Sequence, residues 1–228
     1  MAAKVGDFVM PGDIACVDQS GVCLLGPGLR GKNDIIYATI PGILRENKPA
    51  LYWVDSRQKR YVQAEGDRVL GVVTSKPGGN YKVDIGSHDL AVLCYLSFEG
   101  SSKKNRPNIE VGDLVYGRIS IGDNCFEPEL VCIDSTGKSG GMGVISNGGN
   151  MIRLSVSYAR RLLSANDKIL KTLSNTFQYE ITIGENGWIW VKGQDVLKTL
   201  SLTRALIACE KTNSTNLKEI IRTASNFR

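Results

Sequence analysis

The chain has 228 residues, a formal net charge of +5 and 22% charged residues, a composition that is ordinary for a globular protein. The length allows one large domain or two to three small ones, and the mild basicity is compatible with an RNA partner without establishing one. No apolar run reaches about eighteen residues and the N-terminus carries no apolar signal segment, so neither a membrane span nor a leader is expected. The six cysteines are scattered and are expected to be reduced thiols of a cytosolic or nuclear protein.

The first 58 residues predict a small all-β module. A turn at Pro11-Gly12 leads into a strand, and further strands are predicted at residues 34–40 and 51–54. No helical period is visible in this part of the chain. A core of this size is marginal, so the module is expected to lean on the central domain or on another protein.

Residues 26–33 come close to the phosphate-binding pattern Gly-x-x-x-x-Gly-Lys-Ser/Thr. That site needs a terminal hydroxyl for magnesium and a helix directly after the loop, with its amides pointing at phosphate. Asn33 has no hydroxyl, and the segment after it alternates like a strand. We therefore expect a turn-rich loop here and no nucleotide site.

Residues 59–140 predict a closed barrel of five short strands. Apolar residues alternate in segments 69–74, 81–85, 89–96 and 114–121, and glycine-rich turns separate these segments. Closure of such strands into an OB-type barrel removes their exposed edges. The phrase Gly-Asp-x-Val occurs at Gly66 and again at Gly112, around an aromatic-led strand that ends in Gly86. This arrangement resembles the RNA-binding domain named after ribosomal protein S1.

A barrel of this type binds single strands by stacking bases on aromatic residues along a basic groove. Tyr81 leads a strand directly after a turn and is the candidate base platform, with inward packing as the alternative. Basic residues on neighbouring segments would contact phosphates, the alternative being that they are only solvated. These candidates are Lys76, Lys82, Lys103, Lys104 and Arg106.

Residues 145–228 change to an α/β pattern. Helical spacing of apolar residues covers Ala159–Leu173 in two pieces, strands follow at residues 177–183 and 188–191, and a long helix is predicted at residues 196–207. A last short helix is predicted around Leu217, Ile220 and Ile221. This order resembles a KH domain.

The tetrapeptide Gly184, Glu185, Asn186, Gly187 is the candidate special loop of this domain. An RNA-clamping KH loop is Gly-x-x-Gly with basic middle residues between two helices. Here Glu185 would repel phosphate, both flanks look like strands, and Asn-Gly is a strong hairpin signal. We expect a packed structural turn, with Trp188 and Trp190 as core or interdomain anchors.

The three parts together resemble the non-catalytic cap subunits of the RNA exosome. The marks are Leu-Gly-Pro-Gly-Leu at residues 25–29, Trp53-Val54, the strand at residues 81–86, and Gly-Glu-Asn-Gly followed by Trp188. In this family Gly-x-Asn-Gly is expected to replace the usual KH loop. The resemblance implies a multidomain fold, β-rich plus α/β, with an N-terminal β module at residues 1–58, an S1-type OB barrel at 59–140 and a KH-type domain at 145–228.

The resemblance also implies a place in the cell and a set of partners. The partners would be RNase PH-like ring subunits, other cap subunits and single-stranded RNA at the ring's entrance. The protein would act in ribosomal RNA processing and RNA decay, in nucleus, nucleolus and cytoplasm. No catalytic residues and no cofactor are implied.

Two other functions are weighed against this one. A free-standing single-stranded RNA-binding protein fits the barrel, but the modest charge and the acidic Gly184–Gly187 turn argue against it. A metal-dependent nuclease would need converging acidic residues, and those of the barrel are spread over several strands and turns. They are Asp84, Asp89, Asp113 and Asp123. The single histidine, His88, and the absence of Cys-x-x-Cys make a zinc site unexpected.

Overall fold

The computed structural model describes residues 3–17, 23–47, 51–56, 60–122, 126–145, 148–164 and 169–211. They belong to two compact units, Met1–Gln58 and Lys59–Arg228. The predicted helix around Leu217 and the candidate acid Asp123 lie outside the described residues. The exact first and last residues predicted for the three domains, 1–58, 59–140 and 145–228, stay predictions.

The first unit is a small β structure with its own apolar core. Its strands are β1 Phe8–Val9, β2 Ile14–Val17, β3 Leu24–Leu25, β4 Leu29–Lys32, β5 Ile35–Ala38, β6 Gly42–Asn47 and β7 Leu51–Asp55. They form one sheet in the order β1-β6-β7-β3 and another in the order β2-β5-β4. The buried core consists of Val9, Ala15, Ile36, Ala38, Leu44 and Val54.

The segment that resembles a phosphate loop is a β-hairpin. β4 runs through it, and the register pairs Lys32 with Ile35 across a two-residue turn. Asn33 and Asp34 both have positive φ, at 50° and 60°, as two-residue hairpin turns require. A strand follows the turn, so no helix N-terminus is available for phosphate.

The second unit begins with the predicted barrel. Its strands are β8 Arg68–Ser75, β9 Asn80–Asp84, β10 Ala91–Cys94, β11 Leu114–Ile121 and β12 Glu129–Val131, with a short β13 at Gly143–Val144. Neighbours follow the order β12-β10-β9-β8-β11-β13, and β12 also pairs with β11, which closes five strands into a ring. Alternate side chains fill the interior, among them Val69, Val83, Leu93 and Ile119.

The second unit ends with a three-stranded sheet covered by helices. Its elements are β14 Asn150–Arg153, α1 Val156–Leu163, α2 Ile169–Ser174, β15 Tyr179–Ile183, β16 Trp188–Gly193 and α3 Val196–Lys211. The sheet order is β14-β16-β15, all antiparallel. Ile189 and Val191 of β16 share a buried core with Leu202 and Leu206 of α3. The multidomain, β-rich plus α/β fold predicted from the sequence is confirmed.

Among the described residues, no helix combines the length and apolarity that crossing a membrane requires.

Candidate nucleic-acid interface and interdomain junction

Exposed basic loops gather at one end of the barrel. Because β8 runs antiparallel to both β9 and β11, and β9 to β10, the loops after β8 and after β10 lie at the same end. The backbone N–H of Tyr95 donates to the carbonyl of Gly79 across these loops, at 3.4 Å. We call this region the basic end of the barrel, and its exposed cations are Lys76, Lys103, Lys104 and Arg106.

The two adjacent lysines of the basic end are carried by an ordered turn. The N–H of Ser102 donates to the carbonyl of Asn105 at 3.0 Å. The N–H of Asn105 donates back to the hydroxyl of Ser102 at 3.0 Å. Lys103 and Lys104 occupy the two central positions of this turn and are exposed. The turn therefore presents two ammonium groups side by side to solvent, an arrangement suited to successive phosphates.

Lys82 differs from the other basic candidates. It lies on the outer face of β9, and its ammonium group is 2.6 Å from the carboxylate of Glu127. Only 25% of its side chain is exposed. A phosphate at this position would compete with Glu127 for the same ammonium group.

The structure corrects the role expected for Tyr81. Its side chain is only 9% exposed and belongs to the barrel core. Its hydroxyl donates to the carbonyl of Pro107 at 3.2 Å. The β9 alternation places residues 81, 83 and 85 inside the barrel, so the ring has no face open to a base. Inward packing, the alternative from sequence, is what the structure shows.

The acidic residues considered for metal chemistry serve other contacts. Asp113 accepts the N–H of Glu110 at 2.7 Å within a turn, and Asp84 accepts the N–H of Gly86 at 2.9 Å. Asp89 lies 2.9 Å from Nε2 of the exposed His88. Within the described ranges, no group of three or more His, Cys, Asp or Glu residues is placed to hold a metal ion.

The Gly184–Gly187 turn joins the KH-type sheet to the barrel. Asn186 is 4% exposed, and its side-chain amide donates to the carbonyls of Leu70 and Ile85 at 2.7 and 2.8 Å. Its side-chain oxygen accepts the N–H of Leu70 at 3.4 Å. The turn thus supplies the hydrogen-bond partners that a stretch of barrel backbone would otherwise lack in a water-poor junction.

The resemblance implied that this tetrapeptide replaces the helix–helix loop of a KH domain. The structure places it elsewhere. It connects strands β15 and β16. The connection between α1 and α2 begins at Ser164 and continues through residues 165–168, which lie outside the described residues. The backbone amides of the tetrapeptide are also used: the N–H of Glu185 donates to the carbonyl of Arg68 at 2.8 Å.

Two tryptophans make the apolar part of the junction. Trp188 and Trp190 are buried in one cluster with Leu70 of the barrel. The guanidinium of Arg153 lies 4.2 Å from the centre of the Trp188 ring and 3.9 Å from the carboxylate of Asp84. Aromatic side chains bury large apolar areas, and Trp188 and Trp190 are both 4% exposed, so we regard these residues as the main apolar anchors.

A pair of carboxyl groups lies beside this junction. Burial, followed by a hydrogen bond to Asp67 and the charge of Asp67, raises the pKa of Glu185 to about 7. Arg160 and Arg68 act in the opposite direction on that pKa. The carboxylate of Asp67 also accepts the hydroxyl of Tyr61 at 2.7 Å and lies 3.5 Å from the guanidinium of Arg160. Glu185 and Asp67 therefore lie in one small network with Tyr61, Arg68 and Arg160 beside the junction.

Comparison with known proteins gives a consistent assignment along the chain. Three family models match: the N-terminal domain of the mammalian exosome complex component RRP40 at residues 7–57, the S1 domain of exosome complex component RRP40 at 61–143, and a KH domain at 149–197. The human exosome complex component RRP40 is 44% identical over 212 residues, which cover 90% of this chain and 76% of the relative. The exosome complex component RRP40 of Drosophila melanogaster is 41% identical over 96% of each chain. A solved crystal structure 24% identical in sequence aligns with a TM-score of 0.60 over 73% of this chain and 95% of its own, which supports the fold alone.

Replacing Asn186 with alanine is expected to lower the free energy of unfolding by about 2–4 kcal/mol. The carbonyls of Leu70 and Ile85 lose their partners, and each buried group left unpaired costs about 1–3 kcal/mol. Urea unfolding of the full chain measures the effect. Asn108→Ala changes the same side chain at an exposed position and serves as the control; equal stability of the two variants would contradict the assigned role.

Replacing Glu185 with glutamine is expected to remove a pH dependence of stability. Because the pKa of Glu185 is about 7 in the folded chain and 4.5 is its ordinary value, the protonated carboxyl stabilises the fold fully below about pH 4.5. That stabilisation is lost as the pH rises through about 7. The melting temperature of the wild type should therefore fall relative to the variant between about pH 5 and pH 8.

The control for this experiment is Glu180→Gln, which changes an exposed carboxyl group of β15. It should follow the wild-type curve. Parallel curves for wild type and Glu185→Gln would mean that the proton is not held at this junction.

Proposed function

Because the chain belongs to the RRP40 family of exosome complex components, we propose that it acts as a non-catalytic, RNA-binding cap subunit of an exosome. In this proposal it joins RNase PH-like ring subunits and other cap subunits, and it lines the entrance through which single-stranded RNA is threaded. It would act in ribosomal RNA processing and 3′–5′ RNA decay, in nucleus, nucleolus and cytoplasm. The observation that carries the RNA part is the ordered Lys103–Lys104 turn at the basic end.

An exposed apolar face on the first unit supports docking to a protein partner. Phe8 of β1 and Ile43 of β6 are cross-strand neighbours, and they are 66% and 36% exposed. Val5 and Met10, close to Phe8 in sequence, are also exposed. We call these four residues the apolar face. Exposed apolar side chains on paired strands, as at Phe8 and Ile43, are typical of a protein interface, and we assign the ring subunits to the apolar face.

The basic end supports contact with the RNA backbone. Lys76, Lys103, Lys104 and Arg106 are the proposed phosphate contacts, and Lys82 is retained as a weaker candidate because Glu127 pairs with it. The Gly184–Gly187 turn is proposed to be structural. Its amide and backbone groups already bind the barrel, which leaves RNA contact to the barrel loops.

Neither alternative function is favoured by a specific observation. A free-standing RNA-binding protein gives the apolar face no purpose. A metal-dependent nuclease would need the barrel acids to converge, and Asp84, Asp89 and Asp113 instead bind turns and neighbouring side chains.

Placing a charge on the apolar face is expected to prevent docking. Phe8→Asp should weaken co-elution with a purified RNase PH-like ring by at least about tenfold, since one carboxylate must then be desolvated at the interface. Size-exclusion chromatography and a thermal melt, which verifies folding, provide the measurement. Met10→Asp is a second test of the same face.

The control is Leu90→Asp, which charges an exposed apolar side chain of the barrel and should leave co-elution unchanged. If Phe8→Asp and Met10→Asp both co-elute like the wild type, the ring does not bind the apolar face.

Removing the two turn lysines is expected to reduce the salt dependence of RNA binding. Each phosphate contact to a single strand contributes about 0.7 to the slope of log K against log salt, so Lys103→Ala/Lys104→Ala should reduce that slope by about 1.4. Fluorescence anisotropy with a labelled oligoribonucleotide measures it. Lys171→Ala/Lys211→Ala removes the same charge from exposed helix positions; an identical change in that control would show that only net charge matters.

A further inference from the structure

One cation of the basic end is held differently from the others. The guanidinium carbon of Arg106 lies 4.7 Å from the centre of the Tyr95 ring, within the range of a cation–π contact. Arg106 is exposed, and Tyr95 is partly buried against the barrel core. The lysines of the same end are ammonium groups on flexible stems, whereas this planar group is held over an aromatic ring.

The ring beneath Arg106 is fixed by the neighbouring loop. The backbone of Gly79 lies so close that a Cβ there would come within 3.1 and 3.3 Å of two ring carbons of Tyr95. The N–H of Tyr95 donates to the carbonyl of Gly79. Tyr95 is therefore positioned by the β8–β9 loop as well as by its own strand end.

The backbone that carries Arg106 is also fixed. Pro107 follows it directly and restricts the backbone of residue 106 to extended conformations. The carbonyl of Pro107 accepts the hydroxyl of Tyr81 at 3.2 Å, and the side chain of Ile109 is buried in the barrel core. Tyr81, which has no open face of its own, thus acts as a positioning residue for the segment that carries Arg106.

These contacts hold the guanidinium of Arg106 over the Tyr95 ring, with the other side of the guanidinium facing solvent. A guanidinium plane stacked on an aromatic ring can accept a nucleobase on its free face, and stacking of this kind tolerates every base. Lys103 and Lys104 precede Arg106 in the same loop and can bind the phosphates on either side of a stacked base.

We propose that Arg106, held over Tyr95, is a base-stacking site for single-stranded RNA at the basic end. Tyr95 and Tyr81 are positioning residues in this site. The inference rests on the proposed function, because it concerns the same RNA. The proposed function requires only that basic residues contact the sugar–phosphate backbone. The present inference adds a contact between the protein and a base.

Arg106→Lys separates the two kinds of contact, because lysine keeps the charge and loses the plane. The full chain is titrated with a labelled oligouridylate and with an abasic strand of equal length, at one salt concentration. The variant should bind oligouridylate about 5- to 30-fold more weakly than the wild type does. Its affinity for the abasic strand should stay within about twofold of the wild type.

Lys104→Ala is the control with the opposite signature. It should weaken both strands by the same factor, because both carry the same phosphates. Tyr95→Leu keeps an apolar side chain beneath the guanidinium but removes the ring, and it should reproduce the base-dependent loss of Arg106→Lys. If Tyr95→Leu does not fold, Arg106→Lys still decides the question.

Each outcome has one meaning. Equal weakening of both strands by Arg106→Lys, or no weakening of either, overturns the base-stacking site and leaves RNA binding by phosphate contacts intact. Failure of the wild-type chain to bind either strand overturns the RNA part of the proposed function together with this inference.

Discussion

The buried amide of Asn186 is the contact on which the second unit depends. It supplies hydrogen bonds to the barrel backbone at Leu70 and Ile85. Because these backbone groups are buried, losing the bonds would leave them unpaired and destabilise the fold. The glycines beside it follow from the same packing. A Cβ on Gly184 would lie 2.7 Å from the Leu70 nitrogen, and Gly187 has a φ of +86° with Leu154 O only 2.5 Å from a Cβ. Gly184 is thus explained by a close backbone approach to the barrel, and Gly187 by its positive φ and a close approach to the β14–α1 connection of its own domain.

This junction determines which surfaces remain for function. Trp188 and Trp190 cover the outer side of the barrel at Leu70, so that face is unavailable to a ligand. The loops at the basic end lie away from this contact, on the ends of the strands, and keep their cations exposed. The barrel wall is thus used for contact with the KH-type sheet, and the loops at the basic end stay open to solvent.

The aromatic residues show how far a linear pattern can guide a site prediction. Alternation along β9 is a reliable signal of which side chains share a face, but it does not say which face is inside. Tyr81 therefore looked like a platform and is a core residue. The contact between Tyr95 and Arg106, proposed above as a stacking site, does not follow from the sequence, because eleven positions separate the two residues and only the path of the loop after β10 brings them together. The available signal was an arginine directly before proline in a basic loop, opposite an aromatic residue at a strand end.

The sequence by itself determined the class and order of the domains. Strand alternation, glycine-rich turns and helical spacing are local properties of the sequence. Within the described residues, the predicted strands and helices are present in the structure because their apolar faces pack against one another. The resemblance carried by short motifs in one order pointed to the family in which the chain is found. Only the tertiary structure decided which side of each strand is buried, that Lys82 pairs with Glu127, and that Asn186 binds a segment more than a hundred positions away in the chain. Those outcomes depend on contacts between distant segments, and a periodic pattern contains no information about which distant backbone will lie against it.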